Sequence, residues 1–184
     1  DGTLAAVCSG FRIGHVCPFG KVVMAKSADD GKTWSRPCVV IDTPLDDRDA
    51  GILSFGDSSV MITSFNNTVA FQQNTNKMRE QGSPEQRLVE GYLAGIDAKN
   101  AESKYLGYTY VISHDNGVTF GDIGFSPVTA PHGPCLLENG DILYVGRSAS
   151  DGIAQKEDRI ECHKFVNGEF EFVSAIEAIP GVLS

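Results

Sequence analysis

Residues 27–34 read Ser27-Ala28-Asp29-Asp30-Gly31-Lys32-Thr33-Trp34, and residues 113–120 read Ser113-His114-Asp115-Asn116-Gly117-Val118-Thr119-Phe120. Both fit Ser-x-Asp-x-Gly-x-Thr followed by a large aromatic, and a pattern met twice in one chain signals a repeated structural unit. Asp followed two positions later by Gly is tight-turn chemistry. The carboxylate accepts backbone N–H groups just ahead of it, and Gly takes the φ > 0 conformation. Apolar runs lie on both sides of the first string (Val22-Val23-Met24, then Cys38-Val39-Val40-Ile41), and Tyr108-Thr109-Tyr110-Val111-Ile112 leads into the second. Each string is therefore predicted to close a β-hairpin. Asp29 and Asp115 have a structural reading, because neither string supplies the alternating oxygen ligands and closing Glu of a calcium loop.

The two strings resemble the Asp-box of the sialidase-like proteins, the BNR repeat. The resemblance implies an all-β fold, a β-propeller of the six-bladed type with four antiparallel strands per blade. It assigns Ser27, Asp29, Gly31, Thr33 and Trp34, and Ser113, Asp115, Gly117, Thr119 and Phe120, to structural turns joining the third and fourth strands of a blade. Enzymes, lectin-like modules and inactive relatives all carry the box, so it marks a fold more than an activity.

Further turn signals fill the space between the boxes: Asp1-Gly2, Gly56-Asp57-Ser58-Ser59 and Asn139-Gly140, each next to short apolar runs. They divide the chain into blade one (about 1–41), blade two (about 50–128, with an insertion at 66–104), blade three (about 132–176) and the start of another blade at 179–184. A hairpin around Val166-Asn167-Gly168 closes blade three without a full box. Part of a six-bladed ring leaves sheet flanks uncovered, so remaining blades or an oligomeric partner are expected to close it. Within the insertion, Ser83-Pro84-Glu85-Gln86 has the form of a helix start. Leu88, Val89, Tyr92, Leu93 and Ile96 follow at helical spacing, predicting a short helix near 84–96.

Strand parity sorts the loops. In an antiparallel blade the boxes and the Asp-Gly-type turns share one end, and the other connections emerge at the opposite end. Those opposite-end segments hold Arg12, His15, Asp46, Asp47, Arg48, Asp49, His132 and Arg147. Three carboxylates crowd one guanidinium in Asp46-Asp47-Arg48-Asp49. Crowding raises a carboxyl pKa, which keeps a general acid protonated near neutral pH. Asp47 and Asp49 are thus the catalytic candidates, against the alternative of a solvated acidic turn with Arg48 as counterion. Arg12, Arg48 and Arg147 are candidate substrate-binding groups, because the guanidinium fork matches a carboxylate. His132, beside Gly133 and Pro134, is a further substrate contact. Sialidases, by resemblance, clamp a substrate carboxylate with an arginine triad, use an Asp as acid/base and a Tyr–Glu pair as nucleophile. No residue here matches that pair. Phe11-Arg12-Ile13-Gly14 follows the Asp1-Gly2-Thr3-Leu4 turn, whereas the family's Arg-Ile-Pro motif precedes it.

These residues lead to an exo-acting glycoside hydrolase for a terminal anionic or polyhydroxylated sugar. A non-catalytic carbohydrate-binding or scaffolding propeller is the alternative, and a glycosidase for a non-sialic sugar is a third reading. The partner is a glycan or small sugar, with no cofactor and no metal. A net charge of −9 argues against nucleic acid, and no apolar run is long enough for a membrane span. Five cysteines, an odd number without zinc spacing, favour buried free thiols and a reducing compartment. The family resemblance equally allows a secreted or periplasmic protein.

Overall fold

The computed structural model describes residues 2–129, 131–148 and 159–176. Asp1, most of the 148–158 loop and the 179–184 segment lie outside them. The described chain is mostly β, with three antiparallel sheets and a helical excursion. It divides into two compact units, residues 1–49 with 65–106, and residues 50–64 with 107–184.

The first unit holds β1 (Leu4–Gly10), β2 (Lys21–Ser27) and β3 (Cys38–Ile41), hydrogen-bonded in that order. The middle strand buries Val22, Val23 and Met24 in succession. A continuous apolar run of this kind suits a central strand covered on both faces. Leu4 pairs with Ser27 at one end of the sheet and Gly10 with Lys21 at the other. The first box thus sits at the Ser27 end, and the 10–21 loop sits about 20 Å away at a rise of roughly 3.3 Å per residue.

The helical excursion also belongs to this unit. The expected helix is α2 (Pro84–Gly95), capped by Ser83, whose side chain accepts from the Gln86 N–H. It is flanked by α1 (Val69–Asn76) and α3 (Ala98–Tyr105), which the sequence reading did not find. Both start on a capping side chain, Thr68 accepting from Phe71 and Asp97 from Asn100. Each helix is eight residues long with a weak apolar face, so periodicity gave little signal and the caps were the readable mark. Val69, Val89, Leu93 and Ala101 close around Leu45.

The other strands form two four-stranded sheets, each in sequential order, which belong to the second unit except for the strand ends Arg48, Asp49 and Phe65. One is formed by β4 (Arg48–Phe55), β5 (Ser59–Phe65), β6 (Tyr108–Ser113) and β7 (Gly124–Ser126). The other is formed by β8 (Cys135–Leu136), β9 (Ile142–Arg147), β10 (Ile160–Val166) and β11 (Glu169–Ile176). Tyr110 meets Phe165 and Phe170 edge-on, each at 5.6 Å between ring centres, and Val128 and Tyr144 form a buried pair against Phe170. Asn167 and Gly168, both at positive φ, form the two-residue turn between β10 and β11.

The two boxes close with the same hydrogen bonds. Ser27 Oγ donates to Asp29 and accepts from Gly31 N at 2.9 Å, while Thr33 donates through its backbone N–H and its hydroxyl to the two Asp29 oxygens. Ser113, Asp115, Gly117 and Thr119 repeat this pattern. In each box two successive residues are left-handed, Asp30 with Gly31 and Asn116 with Gly117. That explains the Asp or Asn ahead of the glycine, since these side chains tolerate αL best. The bonds hold both carboxyls below the usual range, with the threonine hydroxyl the largest contributor. Within the second unit, Ser58 Oγ donates to the His114 carbonyl and Asn116 N to the Ser58 carbonyl. The β4–β5 turn and the second box therefore share an end, as strand parity requires.

Ser113 is buried, and its hydroxyl is the partner of the buried Gly117 N–H. Ser113→Ala is expected to cost about 1–2 kcal/mol through that orphaned donor. The check is a lower urea midpoint at unchanged slope.

Candidate functional site

At the end of the first sheet away from its box, the 10–20 loop meets residues 42–49 around one buried carboxylate. Asp46 is fully buried. Its Oδ1 lies 2.8 Å from Arg12 Nη1 and its Oδ2 lies 3.5 Å from Arg48 Nη1, with Asn67 Nδ2 at 3.4 Å. Burial pushes its pKa up, and the two arginines oppose that shift. Arg12 also donates to the carbonyls of His15 and Asp47, which ties the two segments together.

Gly20 makes this junction possible. A Cβ there would lie 2.9 Å from Arg12 Nη1, 2.9 Å from Asp46 Oδ1 and 3.0 Å from the Asp47 carbonyl. Any side chain would intrude on the ion pair.

Arg48 is itself mostly buried, its guanidinium 5.5 Å from the centre of the Phe65 ring. Its Nη2 is 3.0 Å from His15 Nε2. Arginine only donates, so a hydrogen bond here requires His15 Nε2 as the acceptor. Arg48 Nε lies 3.6 Å from Asp49 Oδ2. The Asp49 side chain is 40% exposed and its backbone is left-handed at φ 51, pinned by its N–H on Ser9 Oγ at 2.9 Å. Asp46 lies between the two guanidiniums and Asp49 is the more accessible carboxylate on the Arg48 side, so two arginines face two carboxylates.

Asp47 has a different environment. It is fully buried, with Oδ2 accepting from Thr43 N at 2.6 Å and Oδ1 from Thr43 Oγ1 at 2.9 Å. Burial pushes its carboxyl up to about 6, against the lowering effect of the Thr43 and Asn66 bonds. It has the pKa of a general acid without access to a substrate. Asp49 has access, so the two properties sought in one residue are divided between neighbours.

The Asp47 shift has a testable sign. The folded state holds this proton more tightly than the unfolded chain, so the stabilisation is full below about pH 4 and fades as pH rises through about 6. Relative to Asp47→Asn, the wild type should lose about 2 kcal/mol of stability between pH 4 and 7. Denaturant titrations of both proteins across that range check it. The box aspartates act in the opposite sense, losing stability as pH falls, because their pKa values are lowered.

The helices brace the site from behind. Leu45, next to Asp46, sits in the helical core, and Tyr92 Oη donates to the Pro44 carbonyl at 3.3 Å. Phe19 meets Tyr92 edge-on at 5.0 Å, and Arg79 Nη2 donates to the Val16 carbonyl at 2.5 Å.

The structure thus brings Arg12, Arg48, Asp47 and Asp49 together in the first unit. His132 and Arg147 belong to the second unit. His132 and Gly133 are both left-handed, at φ 79 and 94, and their backbone lies directly against Gly51. Arg147 ends β9, its backbone paired in both directions with Thr129 at 3.0 Å.

Sequence reading placed Asp46 within the charged turn but not at its hub, and it missed Thr43, Asn66 and Asn67. An Asn pair directly following an apolar strand was the available signal. His163 Nε2 lies 2.9 Å from Glu161 Oε2, and Arg159 Nε donates to Glu161 Oε1 at 2.7 Å, holding the Glu161 carboxyl low. Among the described residues, no group of three or more His, Cys, Asp or Glu side chains is arranged to hold a metal, and no helix is long and apolar enough to cross a membrane. Compared with known families and with curated proteins, the chain matches no family model and no curated sequence.

Proposed function

We propose that this chain is part of a sialidase-like Asp-box β-propeller that binds and cleaves a terminal anionic or polyhydroxylated sugar. The observation that carries the reading is Asp49, a solvent-accessible carboxyl group beside Arg48 at the edge of the buried Arg12–Asp46–Arg48 cluster. It lies at the sheet end away from the box turn. In this reading Asp49 in its protonated form donates to the leaving oxygen, water supplies the hydroxyl that replaces that oxygen on the sugar, and the Arg12–Arg48 pair attracts the sugar's anionic group. Asp47 positions the turn through Thr43.

One observation favours the non-catalytic alternative, a carbohydrate-binding propeller. Asp46 already engages both arginines, so an incoming carboxylate meets a partly neutralised pair. Turnover of a panel of aryl glycosides, the α-sialoside included, discriminates between them. Hydrolysis that is lost in Asp49→Ala supports the enzyme. Intact substrates together with selective binding on a glycan array support the binding module and end the catalytic reading.

A further inference from the structure

Phe11 combines features that its neighbours lack. Its ring is exposed to 66%, while Val16, Cys17, Pro18 and Gly20 of the same loop are buried. Its backbone is left-handed at φ 59. A bulky residue rarely adopts that conformation, and such outliers persist where the surroundings enforce them, often at ligand sites. Here the enforcement is visible. The next residue, Arg12, is fixed to Asp46 and to the carbonyls of Asp47 and His15, and Ile13 N donates to Cys17 Sγ. Two residues upstream, Ser9 Oγ holds the Asp49 N–H. The loop therefore presents an aromatic ring to solvent, rigidly, within a few residues of the accessible carboxylate.

We propose that Phe11 is a specificity-determining platform on which the apolar face of a pyranose ring stacks, next to the Arg12–Asp46–Arg48–Asp49 cluster. This rests on the sugar-binding reading above. The chemistry is general. One face of a pyranose carries several axial C–H groups, which pack on the electron-rich face of an aromatic ring, while the hydroxyls turn outward to charged groups. An aromatic of only two rotatable bonds on a fixed backbone loses little entropy when it is covered.

The test is ligand-observed NMR binding of a panel of methyl glycosides, methyl α-sialoside included, which have no aglycone ring to compete for Phe11. Phe11→Gly is expected to weaken binding at least about ten-fold and Phe11→Trp to keep it within about three-fold. Glycine adopts φ 59 without strain, so the thermal midpoint of Phe11→Gly should equal or exceed that of the wild type. Retained sugar binding in Phe11→Gly overturns the platform and leaves the sugar-binding reading standing. A lowered midpoint with unchanged affinity likewise assigns the ring to packing. Absence of binding to every glycoside by the wild type ends the sugar-binding reading, and the platform with it.

Discussion

Gly51→Ala is expected to cost about 3 kcal/mol or more, because the added methyl has no room and its neighbours cannot yield. A Cβ at Gly51 would stand 2.3 Å from Gly133 N, 2.4 Å from Gly133 Cα and 2.5 Å from the His132 carbonyl carbon. All three are backbone atoms. A flexible side chain could swing away, but a main chain already held in two successive left-handed residues cannot. Guanidinium denaturation measures the loss. Gly91→Ala is the control: it lies in α2 with nothing within 4 Å of its Cβ, and there alanine should stabilise by about 0.5–1 kcal/mol. An unchanged midpoint for Gly51→Ala would show that residues 132–133 are not seated on β4.

Asp46→Ala is expected to cost about 3–5 kcal/mol, the range for removing one partner of a buried charge group. Arg12 and Arg48 would face each other across the vacated space without the carboxylate between them, Arg48 keeping its contact with Asp49. The damage comes from the stranded cations more than from the lost attraction, so a second change should repair part of it. In Asp46→Ala combined with Arg48→Met, the cost should fall clearly below the sum of the two single variants. Simple additivity in that double-mutant cycle would mean that the three side chains do not act as a group.

The parts legible in the sequence were those that local chemistry dictates. The boxes could be read because Ser, Asp, Gly and Thr at fixed spacing have one good way to satisfy one another, and no tertiary contact is needed for that. Helix α2 was legible through Ser83-Pro84 and its apolar spacing. The charged turn was legible as a cluster. Its inner order was not, because which of Asp46, Asp47 and Asp49 is buried depends on contacts from residues 12, 66 and 67, distant in sequence, as well as on nearby Thr43. Composition cannot distinguish a carboxylate wrapped by Thr43 from one open beside Arg48. Likewise nothing local announces that Phe11 is left-handed. That conformation follows from the fastening of Arg12 to a segment more than thirty residues away.

The helical excursion leaves after β5 and returns before β6, strands that are hydrogen-bonded neighbours. Asn66 Nδ2 donates to the Tyr105 carbonyl at 2.7 Å, so its two stems are fastened together. A segment hemmed in this way can be lengthened, shortened or exchanged while the strand ladder keeps its register. Yet Leu45 is lodged among its helices, one residue from the buried hub. Variation in that piece can therefore shift the turn that carries Asp46 over evolutionary time, leaving the hairpin pairing of the strands untouched.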